Sequence, residues 1–142
     1  TQTATAVGFT NVDALTGTKG SPSQGSDQGV FPDFVEQKAW SFANGNRLKF
    51  TGLDNAKTYK IYVLFNSQTY EPGVSSFTVN GNTSAQITQG GNVGDAVTYT
   101  DWETDPALAS VSNLSPVSGE LTITLNVISG SGAVVGIVLK QL

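Results

Sequence analysis

The sequence predicts an all-β fold, an antiparallel β-sandwich or jelly roll of about 8 to 10 short strands. Three observations support this. Apolar and polar residues alternate with period two in one short segment after another, and helical spacing is nowhere sustained over a useful length. Turn signals separate these segments about every 8–12 residues. The chain of 142 residues fits a single domain, 1–142, because two domains would each be small for a core without disulfides.

The segment Phe50–Phe65 is the clearest architectural signal. A strand ends at a tight corner led by Gly52-Leu53-Asp54, and we expect Leu53 to plug the space between two sheets there. The strand that follows places Tyr59, Ile61, Val63 and Phe65 on one face. The segment from Val111 to Ile123 repeats the scheme, with Leu114 in the position of Leu53. We therefore predict two equivalent corners.

Ten segments have the alternation or apolar content of strands. They are Thr3–Val12, Lys38–Phe42, Arg47–Thr51, Thr58–Asn66, Val74–Asn80, Thr83–Thr88, Val97–Trp102, Leu108–Val111, Glu120–Val127 and Ala133–Leu142. The last is apolar on both faces from Val134 to Leu139, which is typical of a central strand. Trp40 and Phe42 share a face, and both are predicted to lie in the core.

Glycine and asparagine mark the connections. Asn44-Gly45 and Asn80-Gly81 each predict a type I′ hairpin, because both residues of each pair tolerate positive φ. The segment Thr16–Gly29 is rich in Gly, Ser, Thr and Gln and contains a proline, so we expect a long loop. Val30–Val35 reads as a hydrophobic anchoring turn, and Gln89–Gly94 as a flexible loop.

Composition excludes several classes of function. Cysteine, histidine and methionine are absent, which removes disulfides, thiolate metal sites, zinc sites and histidine-dependent triads. The net charge of −4 argues against nucleic acid or an anionic membrane as partner. No apolar run approaches the roughly 20 residues of a membrane-spanning helix. Only 13% of the residues are charged while small polar residues abound, which favours an extracellular or cell-surface module.

Several motifs together resemble a known class of module. They are Phe31-Pro32-Asp33, Trp40, the corner from Phe50 to Tyr59, and Leu114-Ser-Pro followed by Gly-Glu-Leu-Thr-Ile. From Val30 to Leu142 the chain resembles the galactose-binding-like or fibronectin-III-like accessory β-sandwiches of bacterial secreted multimodular proteins. The resemblance implies carbohydrate binding or adhesion. Asn66-Ser67-Gln68-Thr69 stands where many such modules carry an Arg-Thr pair, so no role of that arginine is transferred.

Exposed aromatic residues are the candidates for binding a glycan, because a flat ring stacks on the apolar face of a sugar. Trp102 is the best candidate, since its neighbours are too polar for a core strand and Pro106 ends the segment. The alternative is that Trp102 only caps the edge of the sandwich. The predicted ligand-binding residues are Trp102, Tyr70, Tyr99, Asp101 and Gln68.

Clustered carboxylates suggest a calcium site. Asp101, Glu103 and Asp105 alternate along an extended segment, which puts three potential oxygen ligands on one side. Asp13 and Asp27, with nearby loop carbonyls, form a weaker alternative, and a solvated acidic turn is the third interpretation. No cofactor is otherwise required. Catalysis is not expected, because a glycosidase needs two carboxylates flanking its sugar and no glutamate here sits in a motif.

Basic residues are concentrated in one part of the sequence. Arg47 and Lys49 share the outward face of one predicted strand, and we expect Lys60 to lie on the outward face of its neighbour. This face is either simply solvated or meets the acidic turn of another copy, a contact that builds filaments. The leading hypothesis is a non-catalytic extracellular module that binds a polysaccharide. The alternative is a self-assembling structural subunit of a surface layer, fibre, pilus or phage appendage.

Overall fold

The computed structural model describes residues 7–20, 38–65, 73–89, 103 and 108–142. They form two antiparallel sheets packed as a sandwich, which confirms the predicted all-β class. The described residues contain eleven strands, one more than the largest number predicted for the chain: β1 Gly8–Asn11, β2 Gly17–Gly20, β3 Lys38–Phe42, β4 Arg47–Thr51, β5 Tyr59–Phe65, β6 Gly73–Val79, β7 Asn82–Thr83, β8 Ile87–Gln89, β9 Leu108–Leu114, β10 Leu121–Gly130 and β11 Gly132–Gln141. Within this part of the chain, no helix is long and apolar enough to cross a membrane.

Consecutive strands often lie in different sheets. The first sheet has the order β1-β4-β10-β6-β7, with β8 also pairing with β6, and the second has the order β2-β3-β11-β5-β9. The chain therefore crosses between the sheets at residues 12–16, 43–46, 52–58 and 115–120, and again between β10 and β11. Each crossing closes one end of the sandwich.

The main core fills the space between the sheets. The four residues predicted to share one face of β5 are all buried in it, as are Leu48 and Phe50 of β4. A second apolar cluster lies on the other face of the second sheet and consists of Ala39, Tyr62, Leu64, Leu108, Ala133 and Val135. Strand β11 is central in its sheet, as its two apolar faces predicted, and β5 shares this double burial.

The two predicted corners are confirmed, and they pack against each other. Leu53 is 6% and Leu114 is 1% exposed, and each follows a residue with positive φ, 73° at Gly52 and 57° at Asn113. The Leu53 N–H donates to the Gly119 carbonyl at 2.9 Å. The Gly119 N–H donates to Asn55 Oδ1 at 2.8 Å. A tight backbone reversal thus aims Leu53 into the core, whereas Leu114 enters the core from the end of β9. The turn that follows Leu114, Val117–Glu120, is hydrogen-bonded to the reversal at Leu53.

One predicted hairpin is confirmed and the other is wrong. Asn80 and Gly81 both have positive φ, 50° and 79°, and join β6 to its partner β7. Asn44-Gly45 joins β3 to β4, which lie in different sheets, so it is a crossing and not a hairpin. Of these two residues only Gly45 has positive φ, and the Asn46 N–H donates to the Ala43 carbonyl at 3.1 Å. Positive φ at the third turn position is that of a type II turn.

Two further expectations need correction. Residues 17–20 lie in the predicted loop Thr16–Gly29, yet they form β2 and pair with β3. This edge strand is held by backbone hydrogen bonds, and its sequence shows no apolar alternation from which a strand could be predicted. Arg47 and Lys49 lie on β4 of the first sheet, whereas Lys60 lies on β5 of the second, so these three residues do not form one basic face. The predicted strand Val97–Trp102 and the turn Val30–Val35 lie outside the described residues.

Candidate functional site

Most residues predicted from the sequence to bind a ligand lie outside the part of the chain that the structure describes. This holds for Trp102, Tyr70, Tyr99, Asp101, Gln68 and, in the calcium hypothesis, Asp105. Their roles remain predictions. The structure does place Glu103 and Asp13, and it shows two surface depressions that the sequence did not indicate.

Glu103 belongs to a charged cluster on the second sheet. Its carboxylate accepts a hydrogen bond from Lys140 Nζ on β11, and Lys60 lies beside Lys140 in register on β5. The Lys60 amine sits 4.5 Å from the centre of the Tyr62 ring. The pKa of the Glu103 carboxyl is lowered, chiefly because Lys140 donates to it, and the Tyr62 hydroxyl and the Lys60 charge act in the same direction. In this arrangement Glu103 serves as the counter-ion of a lysine.

Asp13 is engaged by a guanidinium. Arg47 Nε donates to Asp13 Oδ2 at 2.8 Å, Arg47 Nη2 donates to Oδ1 at 3.0 Å, and the Arg47 backbone N–H donates to Oδ2 at 2.9 Å. These bonds lower the pKa of Asp13, with the side-chain bond as the main cause. No group of three or more acidic residues suited to a metal exists among the described residues. The other carboxylate of the weaker calcium alternative, Asp27, lies outside the described residues, so that alternative stays a prediction.

The larger depression is an apolar groove at one edge of the sandwich, with a volume of about 620 Å³. It opens between β1 and β4 of the first sheet and β3 and β11 of the second. Of the described residues that line it, none is charged, and Asn11 is the one with a side-chain amide. The lining residues are Phe9, Asn11, Leu15, Trp40, Leu48, Phe50, Val134, Val135, Gly136 and Ile137. We call it the edge groove.

Two half-exposed aromatic rings flank the edge groove. Phe9 on β1 is 49% exposed and Trp40 on β3 is 51% exposed. Phe9 is held by Phe50, whose ring centre lies 4.9 Å from that of Phe9 at an angle of 52°. The tilted contact fixes the orientation of Phe9 while leaving half of it accessible to solvent. The groove thus offers aromatic surface from both sheets.

The prediction that Trp40 lies in the core is wrong. Phe42, two residues further along β3, is 4% exposed because its ring packs against Phe65, 5.9 Å away between centres, and against the backbone at Gly132. Trp40 points to the same side of the strand but pairs with Val134 near the edge of the sandwich, where the first sheet ends with strand β1. Facing inward therefore does not bury Trp40.

A second depression of about 520 Å³ lies at the end of the sandwich where three crossings meet. Its side chains are mostly hydroxyl and amide groups, with Gly130 and Gly132 leaving backbone accessible. The lining residues are Thr16, Ser41, Phe42, Ala43, Asn44, Val127, Gly130, Ser131 and Gly132. None of these described lining residues is charged. We call it the end depression.

The crossing at residues 12–16 connects these two depressions. Leu15 lines the edge groove and Thr16 the end depression. The crossing is pinned by the Asp13–Arg47 pair, by the bond from the Val12 N–H to the Arg47 carbonyl at 3.0 Å, and by the bond from the Thr16 N–H to the Ser41 carbonyl at 2.9 Å. Its position is thus fixed on both sheets.

Comparisons with known proteins give structural likenesses of low similarity. No protein-family model matches the chain, and no curated protein gives a match. An exo-β-1,3-galactanase from Phanerochaete chrysosporium, solved with galactose, is 15% identical with a TM-score of 0.43, and the match covers 94% of this chain and 29% of that one. A family GH115 4-O-methyl-α-glucuronidase with specificity for decorated arabinogalactans is 10% identical with a TM-score of 0.42, covering 92% and 18%.

Both solved structures are carbohydrate-active enzymes, and this chain spans less than a third of the length of either. At these TM-scores the likenesses establish neither a family nor a function for the chain.

The sequence contained a partial signal for the edge groove. Phe9 and Trp40 both fall on the inward positions of alternating segments, and Phe9 precedes a stretch rich in glycine and small polar residues. What the sequence does not show is that β1 becomes an edge strand and that β3 lies one strand from an edge. Without that order, two inward aromatic residues are indistinguishable from core.

Proposed function

We propose that the chain is a non-catalytic, extracellular carbohydrate-binding module of the β-sandwich type. The observation that carries this proposal is the edge groove, in which half-exposed Phe9 and Trp40 flank an uncharged surface. Aromatic rings stack on the C–H face of a sugar, and such contacts contribute about 0.5–1.5 kcal/mol beyond the burial of area. Asn11 offers an amide that can donate to and accept from sugar hydroxyls.

The described carboxylates support a non-catalytic role. Glu103 pairs with Lys140, Glu120 with Lys49 at 2.9 Å, and Asp13 with Arg47, while Asp54 accepts the Ala56 N–H at 2.8 Å. None of the four lines the edge groove or the end depression. Glycoside hydrolysis needs two carboxyl groups on either side of the sugar, and neither depression supplies them from this part of the chain.

The test is a binding screen that compares two tryptophans. The wild-type chain, Trp40→Ala and Trp102→Ala would be run on a glycan array and in affinity gels containing neutral polysaccharides. We expect binding to at least one neutral polysaccharide and a loss of at least about tenfold on removal of the responsible ring. Ile128→Ala is the matched control, because Ile128 is also 51% exposed but lines neither depression.

Each outcome of this screen decides something. Loss of binding in Trp40→Ala assigns the glycan to the edge groove, and loss in Trp102→Ala assigns it to the predicted loop site. Absence of binding to every polysaccharide and array glycan would refute a carbohydrate-binding function.

One observation favours self-association as a second candidate function. Val7, Phe9 and Val12, in and around the edge strand β1, are 53%, 49% and 43% exposed. An edge strand with apolar side chains is a template for pairing with another chain. Sedimentation velocity over a range of protein concentrations tests this, and Phe9→Ser should dissociate any oligomer that forms through β1. A chain that stays monomeric at every concentration would exclude it.

A further inference from the structure

We infer that the edge groove and the end depression are two subsites for one uncharged oligosaccharide, which lies across the 12–16 crossing. This inference rests on the proposed function and adds the class of ligand and its length. The ligand would be a chain of at least two or three neutral sugar residues, stacked on Trp40 at one end and held through its hydroxyls at the other.

The same elements line both depressions with residues one or two positions apart. The 12–16 crossing supplies Leu15 to the edge groove and Thr16 to the end depression. Strand β3 supplies Trp40 to one and Phe42 to the other, and β11 supplies Val134 and Gly132 in the same way. Residues two apart on a strand lie roughly 7 Å apart, so the depressions are neighbours.

The two depressions differ in the chemical groups that line them. The edge groove presents aromatic and aliphatic surface with a single amide, whereas the end depression presents the hydroxyls of Thr16, Ser41 and Ser131 and the amide of Asn44. Asn44 Oδ1 already accepts the Val127 N–H at 2.9 Å, which orients its amide nitrogen as a remaining donor. A ligand that satisfies both must have apolar faces and many hydroxyls.

The described lining of both depressions is uncharged, since no acidic or basic side chain of the described residues lines either of them. The Asp13–Arg47 pair, which pins the 12–16 crossing, is internally neutralised by a bidentate contact. Recognition of a uronate, sulfate or phosphate draws on basic side chains, especially arginine, and the described lining residues include none. Two of the described lysines, Lys60 and Lys140, lie on β5 and β11 around Glu103 and Tyr62.

The experiment measures affinity against chain length. Isothermal titration would use cello-, laminari-, xylo- and β-1,3-galacto-oligosaccharides of one to six residues, with trigalacturonate as the charged comparison. We expect one neutral series to bind, with the trimer at least about tenfold tighter than the monomer, because the end depression adds about two hydrogen bonds. Trigalacturonate should not bind.

Two variants separate the subsites. Trp40→Ala should weaken all lengths by at least about tenfold. Ala43→Phe adds a ring at an exposed turn position that lines only the end depression, so it should abolish the gain from monomer to trimer and leave the monomer unchanged. Ala56→Phe, at an exposed turn of the opposite corner, is the matched control and should bind like the wild type. Circular dichroism confirms that each variant is folded.

The outcomes distinguish this inference from the proposed function. A neutral oligosaccharide that binds equally well at every length, or whose trimer affinity is unaffected by Ala43→Phe, overturns the two-subsite inference and leaves carbohydrate binding standing. The same holds if Trp102→Ala abolishes binding while Trp40→Ala does not. Tight binding of trigalacturonate overturns the inferred ligand class. Failure of every probe, together with the array, overturns both.

Discussion

The two leucine corners and the edge groove both direct apolar side chains toward the space between the sheets, but these side chains end in opposite environments. Leu53 and Leu114 are 6% and 1% exposed, whereas Phe9 and Trp40 are 49% and 51% exposed. All four side chains are directed to the space between the sheets by their positions in the chain. The difference shows that alternation selects a face of a strand, while the neighbouring elements decide whether that face is covered.

The two regions differ in the elements that shield these side chains from solvent. At the corners the two backbone reversals dock on each other through the Leu53–Gly119 and Gly119–Asn55 hydrogen bonds, and the Lys49–Glu120 pair ties β4 to the second corner. At the edge groove the first sheet ends with the four-residue strand β1. The corners thus exclude solvent, whereas the groove is open to solvent.

The largest effect that this comparison predicts is on stability. Leu114→Ala should lower the free energy of unfolding by about 2–5 kcal/mol, because it empties a fully buried position. Trp40→Ala should lower it by less than about 1 kcal/mol, because half of this residue is already exposed to water. Urea unfolding followed by circular dichroism measures both values.

Leu53→Ala sharpens the same test. It should lower the free energy of unfolding by about as much as Leu114→Ala. The effects of the two substitutions should not add in the double variant, because the two corners contact each other. A large loss of stability in Trp40→Ala would mean that the ring is covered in solution, and it would remove the main support for a binding groove.

Substitutions at the positive-φ residues of the corners should have a smaller effect on the free energy of unfolding. Gly52 has φ of 73° and Asn113 has φ of 57°, a region in which most side chains are disfavoured. Gly52→Ala and Asn113→Ala should each lower the free energy of unfolding by about 1–2 kcal/mol. Asn113→Gly is the matched control and should be close to neutral. Equal free energies of unfolding for all three variants would show that the positive φ at residues 52 and 113 does not determine the structure of the corners.

Much of the fold could be predicted from local pattern. The corner leucines, the inward face of β5, the Asn80-Gly81 hairpin and the central position of β11 each follow from a few neighbouring residues, and the structure confirms them. These features depend on short-range rules such as alternation, positive φ and doubly apolar strands. Tyr62 and Leu64 were missed, because nothing local shows that the outer face of β5 is also covered.

The order of the strands and the site could not be predicted in this way. Asn44-Gly45 has the composition of a hairpin but connects two sheets, and Lys60 lies on a different sheet from Arg47. Which strands become neighbours depends on the whole set of competing pairings and not on the residues of one segment. Since the edge groove exists only because β1 and β3 lie near the same edge, Trp40 looked like a core residue in the sequence.

The smallest predicted effect concerns acid and the crossing that borders the groove. The pKa of Asp13 in the folded chain lies below its ordinary value of 3.8, mainly because Arg47 donates to it. A carboxyl with a lowered pKa stabilises the fold above its unfolded pKa, and this contribution is lost as the pH falls through the folded pKa. Asp13→Asn should therefore lower the unfolding midpoint at neutral pH and flatten its fall between about pH 5 and about pH 2.

The fluorescence of Trp40, measured in a Trp102→Phe background, reports on the groove itself. We expect the acid transition of this fluorescence to vanish in Asp13→Asn and to persist in Glu103→Gln. Glu103 is the control because its carboxyl also has a lowered pKa but pairs with Lys140 away from the groove. If Asp13→Asn keeps the acid transition of Trp40, the Asp13–Arg47 pair does not hold the groove in place, and the groove is shaped by its aromatic and aliphatic packing alone.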